Sequence, residues 1–122
     1  MIKLANFTQH DQQEHVFKWK SLGFAFDPKS RAPIINFETD EWTEEAILDA
    51  VIEALENLKA GGFKAILIGG YSSYMVYAWM LAVKYQLRVV MARMSSDGTL
   101  IGFSVLPSPS QVYNYPWLRR IE

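Results

Sequence analysis

Gly69-Gly70-Tyr71-Ser72-Ser73 lies between two apolar runs, Ala65 to Ile68 and Tyr74 to Val83. Glycines let a ligand approach the main chain. A helix start presents unpaired N–H groups with partial positive charge. A strand passing through such a turn into a helix is suited to an anion, with Gly69, Gly70, Ser72 and Ser73 against a phosphate and Tyr71 or Tyr74 stacked on a base. The same residues also serve a plain tight turn in which Ser73 caps the helix. The run matches neither the Gly-x-Gly-x-x-Gly dinucleotide pattern, nor a phosphate loop with its lysine, nor the Gly-x-Ser-x-Gly esterase elbow.

A second candidate is Asn6-Phe7-Thr8-Gln9-His10, where a first strand gives way to a polar turn. His10 there can contact a ligand or move a proton, or can be an exposed turn histidine. His10 and His15 are five apart rather than the four that puts a zinc pair on one helix face, so no metal site is expected. Arg93 stands near a strand's carboxyl end, within reach of an anion, or else faces solvent. The acidic stretch Glu38 to Glu45 lacks calcium-loop spacing and reads as helix capping and solvation.

The elements that must position these residues alternate. A strand is predicted over 2–7 and a short helix over about 11–22, ended by Gly23. Residues 24–33, with Asp27-Pro28 and Pro33, read as a loop, and Ile34 to Phe37 as the second strand. The clearest helix spans about 44–60, with Thr43 as N-cap, Trp42 and Ile47 as a hydrophobic staple, Glu44 and Glu45 at its positive end and Gly61-Gly62 as its stop. A strand over 64–68, a helix over 74–85 and a strand over 87–94 follow. Asp97-Gly98 turns the chain into an antiparallel return, Leu100 to Leu106, stopped at Pro107. This order implies one α/β domain over 1–122, a Rossmann-like three-layer sandwich whose mainly parallel sheet ends in an antiparallel hairpin. Ligands of such sheets sit outside the strands' carboxyl ends, which brings the 6–11 and 69–73 loops together.

Bulk properties narrow the classes. Half of the 122 residues are hydrophobic, enough for a core, and the formal charge of −1 gives no field for long nucleic acid. There is no cysteine, which excludes disulfides and thiolate chemistry and fits a cytoplasmic setting. No secretory leader is expected at Met1 to Phe7. The uncharged run 65–83 approaches the length of a membrane span, but Gly69-Gly70 and Ser72-Ser73 interrupt it, so no membrane partner is expected. Its helical half is apolar all round, which calls for cover on two sides within one subunit or from a second subunit; a short chain offers few elements for the first, so a homodimer is expected.

With Ile2-Lys-Leu-Ala-Asn6-Phe7-Thr8 at the start, the Gly69–Ser73 turn leading into Tyr-Met-Val-Tyr-Ala-Trp-Met, and the hairpin Arg88–Arg93 to Ile101–Val105, the layout resembles the small CRISPR-associated Rossmann-like (CARF-like) proteins that bind cyclic oligoadenylates, ring nucleases among them. A His-Gly-Arg stretch expected after the third helix is replaced by Lys84-Tyr-Gln-Leu-Arg88. The resemblance implies a homodimer holding cyclic tetra-adenylate across its two-fold axis, with Asn6, Phe7, Thr8, Gln9, His10 and residues 69–74 from each subunit. It further implies either sequestration of the messenger or slow, metal-independent cleavage by attack of a ribose 2′-hydroxyl, without a cofactor. In that case His10 serves as acid or base, and Ser72, Ser73 and Arg93 stabilise the phosphorane. A Rossmann-like enzyme for a phosphorylated small molecule and a protein-interaction module are the alternatives.

Overall fold

The structure, a computed structural model, describes residues 1–8, 10, 12–31, 42–69 and 73–114, with Arg31 by its backbone alone. The strands are β1 (Ile2–Asn6), β2 (Phe24–Arg31), β3 (Ala65–Ile68), β4 (Arg88–Met94) and β5 (Leu100–Leu106). The helices are α1 (Val16–Ser21), α2 (Glu44–Ala60), α3 (Ser73–Ala82) and α4 (Pro109–Tyr113). Short 3-10 turns lead into α1 and follow α3.

Among the described residues the sheet runs β2-β1-β3-β4-β5, parallel except for β4 with β5. This is the expected α/β architecture. Strand β3 is buried along its whole length because it is covered twice, which explains its unbroken apolar run. The side-chain period of two sends Ala65 and Leu67 to the face of α1, with Leu4, Val90 and Trp19. Ile66 and Ile68 go to the other face, with Ala5, Val89 and the inner sides of α2 and α3. Trp19 is fully enclosed and meets Phe24 edge-on at a centroid distance of 5.6 Å. Each large side chain buried this way stabilises the fold by about 1.5–3 kcal/mol.

Helix α2 starts and stops where its local chemistry dictates. The Thr43 hydroxyl accepts from the Ala46 N–H at 3.1 Å, Trp42 packs on the cluster that contains Ile47, and Gly62 follows with a φ of 82°. The β4–β5 turn closes on Gly98 at a φ of 85°, where the Asp97 carboxylate accepts from Ser95 and from the Thr99 N–H. Those bonds lower the Asp97 carboxyl from its ordinary 3.8 to about 2.

One expectation is corrected. The second strand occupies Phe24–Arg31, the segment read as a loop, and the predicted strand Ile34 to Phe37 falls outside the described residues. Pro28 is tolerated because β2 lies at the sheet edge and its register jumps there: Ala5 pairs with Asp27 but Asn6 with Arg31. Asp27 accepts from the Lys29 N–H at 3.0 Å inside that irregularity. The tail after Pro107 begins with α4, whose Ser108 and Gln111 form a reciprocal capping box with Pro109 in the first turn.

Candidate functional site

The chain leaves β1 toward one sheet edge, to β2, and leaves β3 toward the other, to β4. Neighbouring connections that diverge open a crevice outside the carboxyl ends of β1 and β3, where open α/β sheets bind ligands. Phe7 and Gly69, the first residues after β1 and β3, stand at its entrance. They are adjacent: the Phe7 N–H donates to the Leu67 carbonyl at 2.8 Å, and the Thr8 methyl lies 3.6 Å from where a Cβ on Gly69 would stand.

The first wall is held from within. Asn6 is fully buried at the end of β1. Its Oδ1 accepts from the Thr8 N–H at 3.0 Å and the Thr8 hydroxyl at 2.6 Å, while its Nδ2 donates to the His10 carbonyl at 2.7 Å. Nδ2 also stands 3.5 Å from the Pro28 carbonyl of the neighbouring strand's irregularity. One carboxamide thus shapes the turn that carries His10. Buried polar groups need such partners, since an unmet one costs about 1–3 kcal/mol.

Tyr74 belongs to the same interior. It is 2% exposed, its hydroxyl donates to the Phe7 carbonyl at 2.9 Å, and its ring lies 5.9 Å from that of Phe7. Asn6, Phe7 and Tyr74, expected as ligand contacts, therefore build the wall behind the crevice surface. Tyr74 is not placed to stack on a base. Thr8, only 4% exposed, presents its edge to the crevice, and the His10 side chain is exposed. Gln9, Gly70, Tyr71 and Ser72 lie outside the described residues.

The second wall starts at Ser73, the first residue of α3. Its hydroxyl stands 3.4 Å from Glu44 Oε1, and the Tyr77 hydroxyl one turn later donates to Glu44 Oε2 at 2.5 Å. Glu44 lies in the first turn of α2, so this carboxylate joins the two helices at the crevice mouth. The bond to Glu44 is the main cause that raises the Tyr77 phenol above its ordinary 10, with desolvation and the negative charge adding to it. Glu44 was legible only as a residue suited to a helix start. Its position beside Ser73 depends on how α2 and α3 pack.

Arg93 is at the carboxyl end of β4, as expected, but its Nε donates to Ser104 on β5 at 2.7 Å. That bond draws it toward the sheet edge farther from β1. His10, Ser73 and Arg93 thus lie on three successive walls of one sheet end, tied respectively to the β1 turn, to α2 and to β5. Between β1, β3 and β4 the crevice deepens into a cavity of about 210 Å3 lined by Thr8, Gln12, Ile68, Gly69, Met91 and Met94, among others. Gln12, Met91 and Met94 carried no sequence signal for a site.

Helix α3 is apolar on every side for two reasons. Tyr74, Met75, Ala78 and Ala82 are buried, whereas Val76 and Met80, with Val83 of the following 3-10 turn, form an exposed stripe at i, i+4 and i+7. Among the described residues no group of acidic or histidine side chains is arranged to hold a metal, and no helix is long and apolar enough to cross a membrane. No protein-family model matches the chain, and neither a curated protein nor a solved structure matches it.

Proposed function

We propose that this protein binds a cyclic oligoadenylate, cyclic tetra-adenylate first among them, as a homodimer in type III CRISPR signalling. The observation that supports the reading is the adjacency of Phe7 and Thr8, just after β1, to Leu67 and Gly69, at the end of β3, at the order-reversal point of a β2-β1-β3-β4-β5 sheet. A buried carboxamide holds one of these walls in shape before any ligand arrives, which lowers the ordering cost of binding. The exposed Val76, Met80 and Val83 stripe supports a two-fold contact between subunits.

Binding is better supported than turnover. His10 is exposed and available as an acid or base, but Ser73 shares a carboxylate with Tyr77 and Arg93 is bonded to Ser104. In a cleaving form, the protein would chiefly align a ribose 2′-hydroxyl with its own phosphodiester. The test is a titration with cyclic tetra-adenylate followed by chromatography of the incubated ligand. Saturable binding supports the reading; intact ligand then defines a sink or sensor, and linear products that vanish in His10→Ala define a ring nuclease. No binding of the tri-, tetra- or hexa-adenylate rings overturns it. Met80→Lys should convert a dimer to a monomer in light scattering, and an unchanged mass would reject the α3 interface. Met75 on the same helix is in the core, so a charge there would unfold rather than dissociate the protein.

A further inference from the structure

The cavity between β1, β3 and β4 has its own chemistry. Its volume of about 210 Å3 is below the roughly 300–1,000 Å3 of a whole small-molecule site, so it takes part of a ligand. Ile68, Met91 and Met94 make one side apolar. Methionine sulfur is polarisable and packs well on aromatic rings. Met91 and Met94 are 38% and 44% exposed toward the carboxyl end of β4, so they can contact a ligand. Neither a phosphate nor a sugar gains from such walls.

The lining also carries Gln12. Its backbone is left-handed, with φ 63° and ψ 12°, at the entry to the 3-10 turn before α1. Gln86 after α3 shares this uncommon conformation, so the backbone of Gln12 sets where its side chain starts and is not by itself a mark of a site. The Gln12 Nε2 stands 3.4 Å from the Thr8 hydroxyl, which in turn is bonded to buried Asn6. A carboxamide held at the rim of an apolar slot offers a donor and an acceptor side by side. That pair matches the N6 and N7 edge of adenine.

We infer that this cavity is a purine-base subsite, with the ring packed against Met91 and Met94 and the adenine edge read by Gln12. The inference deepens the cyclic-oligoadenylate reading, on which its biological ligand rests, and replaces stacking by Tyr74 as the means of holding a base. The subsite itself needs only a base, not a ring of four.

The five methionines give a direct readout: Met1, Met75, Met80, Met91 and Met94. With 13C-methyl methionine, adenosine 5′-monophosphate should move the Met91 and Met94 methyl resonances upfield by ring current. Met75 in the core and Met80 on the outer side of α3 should stay in place. Gln12→Gly keeps the left-handed backbone accessible; it should weaken adenosine 5′-monophosphate about tenfold while changing inosine 5′-monophosphate by no more than about twofold. If cyclic tetra-adenylate binds and both methyls stay silent, the subsite is wrong and the function survives. If adenosine 5′-monophosphate moves both methyls but the cyclic rings do not bind, the subsite stands and the messenger reading falls. Equal loss of both mononucleotides in the variant overturns the role of Gln12.

Discussion

The two walls of the crevice are built by opposite means. After β1 the chain is held by buried groups: Asn6 bridges the Thr8 and His10 main chain, and Tyr74 reaches across from α3 to the Phe7 carbonyl. At the start of α3 the ties are exposed, with Ser73 and Tyr77 sharing the Glu44 carboxylate. Hydrogen bonds out of water are costly to break because the orphaned group stays dry, whereas exposed ones exchange with solvent at little cost. One wall is therefore a fixed part of the core. The other is an adjustable clasp between two helices.

Asn6→Ala should break this contrast most severely. It leaves the Thr8 N–H unmet, while the His10 carbonyl keeps the Thr8 hydroxyl at 3.1 Å, and with the lost packing of a fully buried side chain it should lower stability by about 2–3 kcal/mol. Denaturant unfolding checks it, and a loss below about 1 kcal/mol would mean that water already reaches this turn. Tyr74→Phe keeps the ring beside Phe7 and removes one buried bond, so about 1–2 kcal/mol should be lost by the same assay.

Glu44→Gln should be the mildest, changing stability by no more than about 0.5 kcal/mol. Its signature is instead at alkaline pH. In the wild type the Tyr77 phenol is raised above 10, so its contribution is complete below the unfolded value of 10 and is lost as pH rises through the higher folded value. The variant should bring the Tyr77 titration down toward 10 in a phenolate absorbance difference between the two proteins. An unshifted titration would place the cause elsewhere than Glu44.

Legibility followed the range of the forces involved. Helix α2 was readable at both ends because a cap, a staple and a glycine stop act within a few residues. The β4–β5 hairpin was readable for the same reason, since Asp97 and Gly98 set the turn by themselves. Strand β2 was not, because Asp27-Pro28 forbids a central strand and nothing local says that the segment will lie at an edge. The capping box of α4 was present in Ser108 and Gln111 but hidden behind two prolines.

For the candidate site, strand-to-helix order pointed to Gly69–Ser73 and to the turn after β1, and the sheet sets Gly69 beside Thr8. The roles within them were not readable. Asn6, Phe7 and Tyr74 have types equally suited to a ligand or to a core, and only burial decides. Glu44, Gln12 and Met91 are far apart in the chain and acquire meaning through α2–α3 packing and strand order. By itself the sequence determined which segments become strands and turns wherever short-range bonding and side-chain period suffice, and it determined that the chain has no thiol chemistry. Tertiary structure alone decided which polar side chains are enclosed, which side of α3 is bare, and which residues from separate segments share the crevice, because burial and proximity are set by contacts distant in sequence.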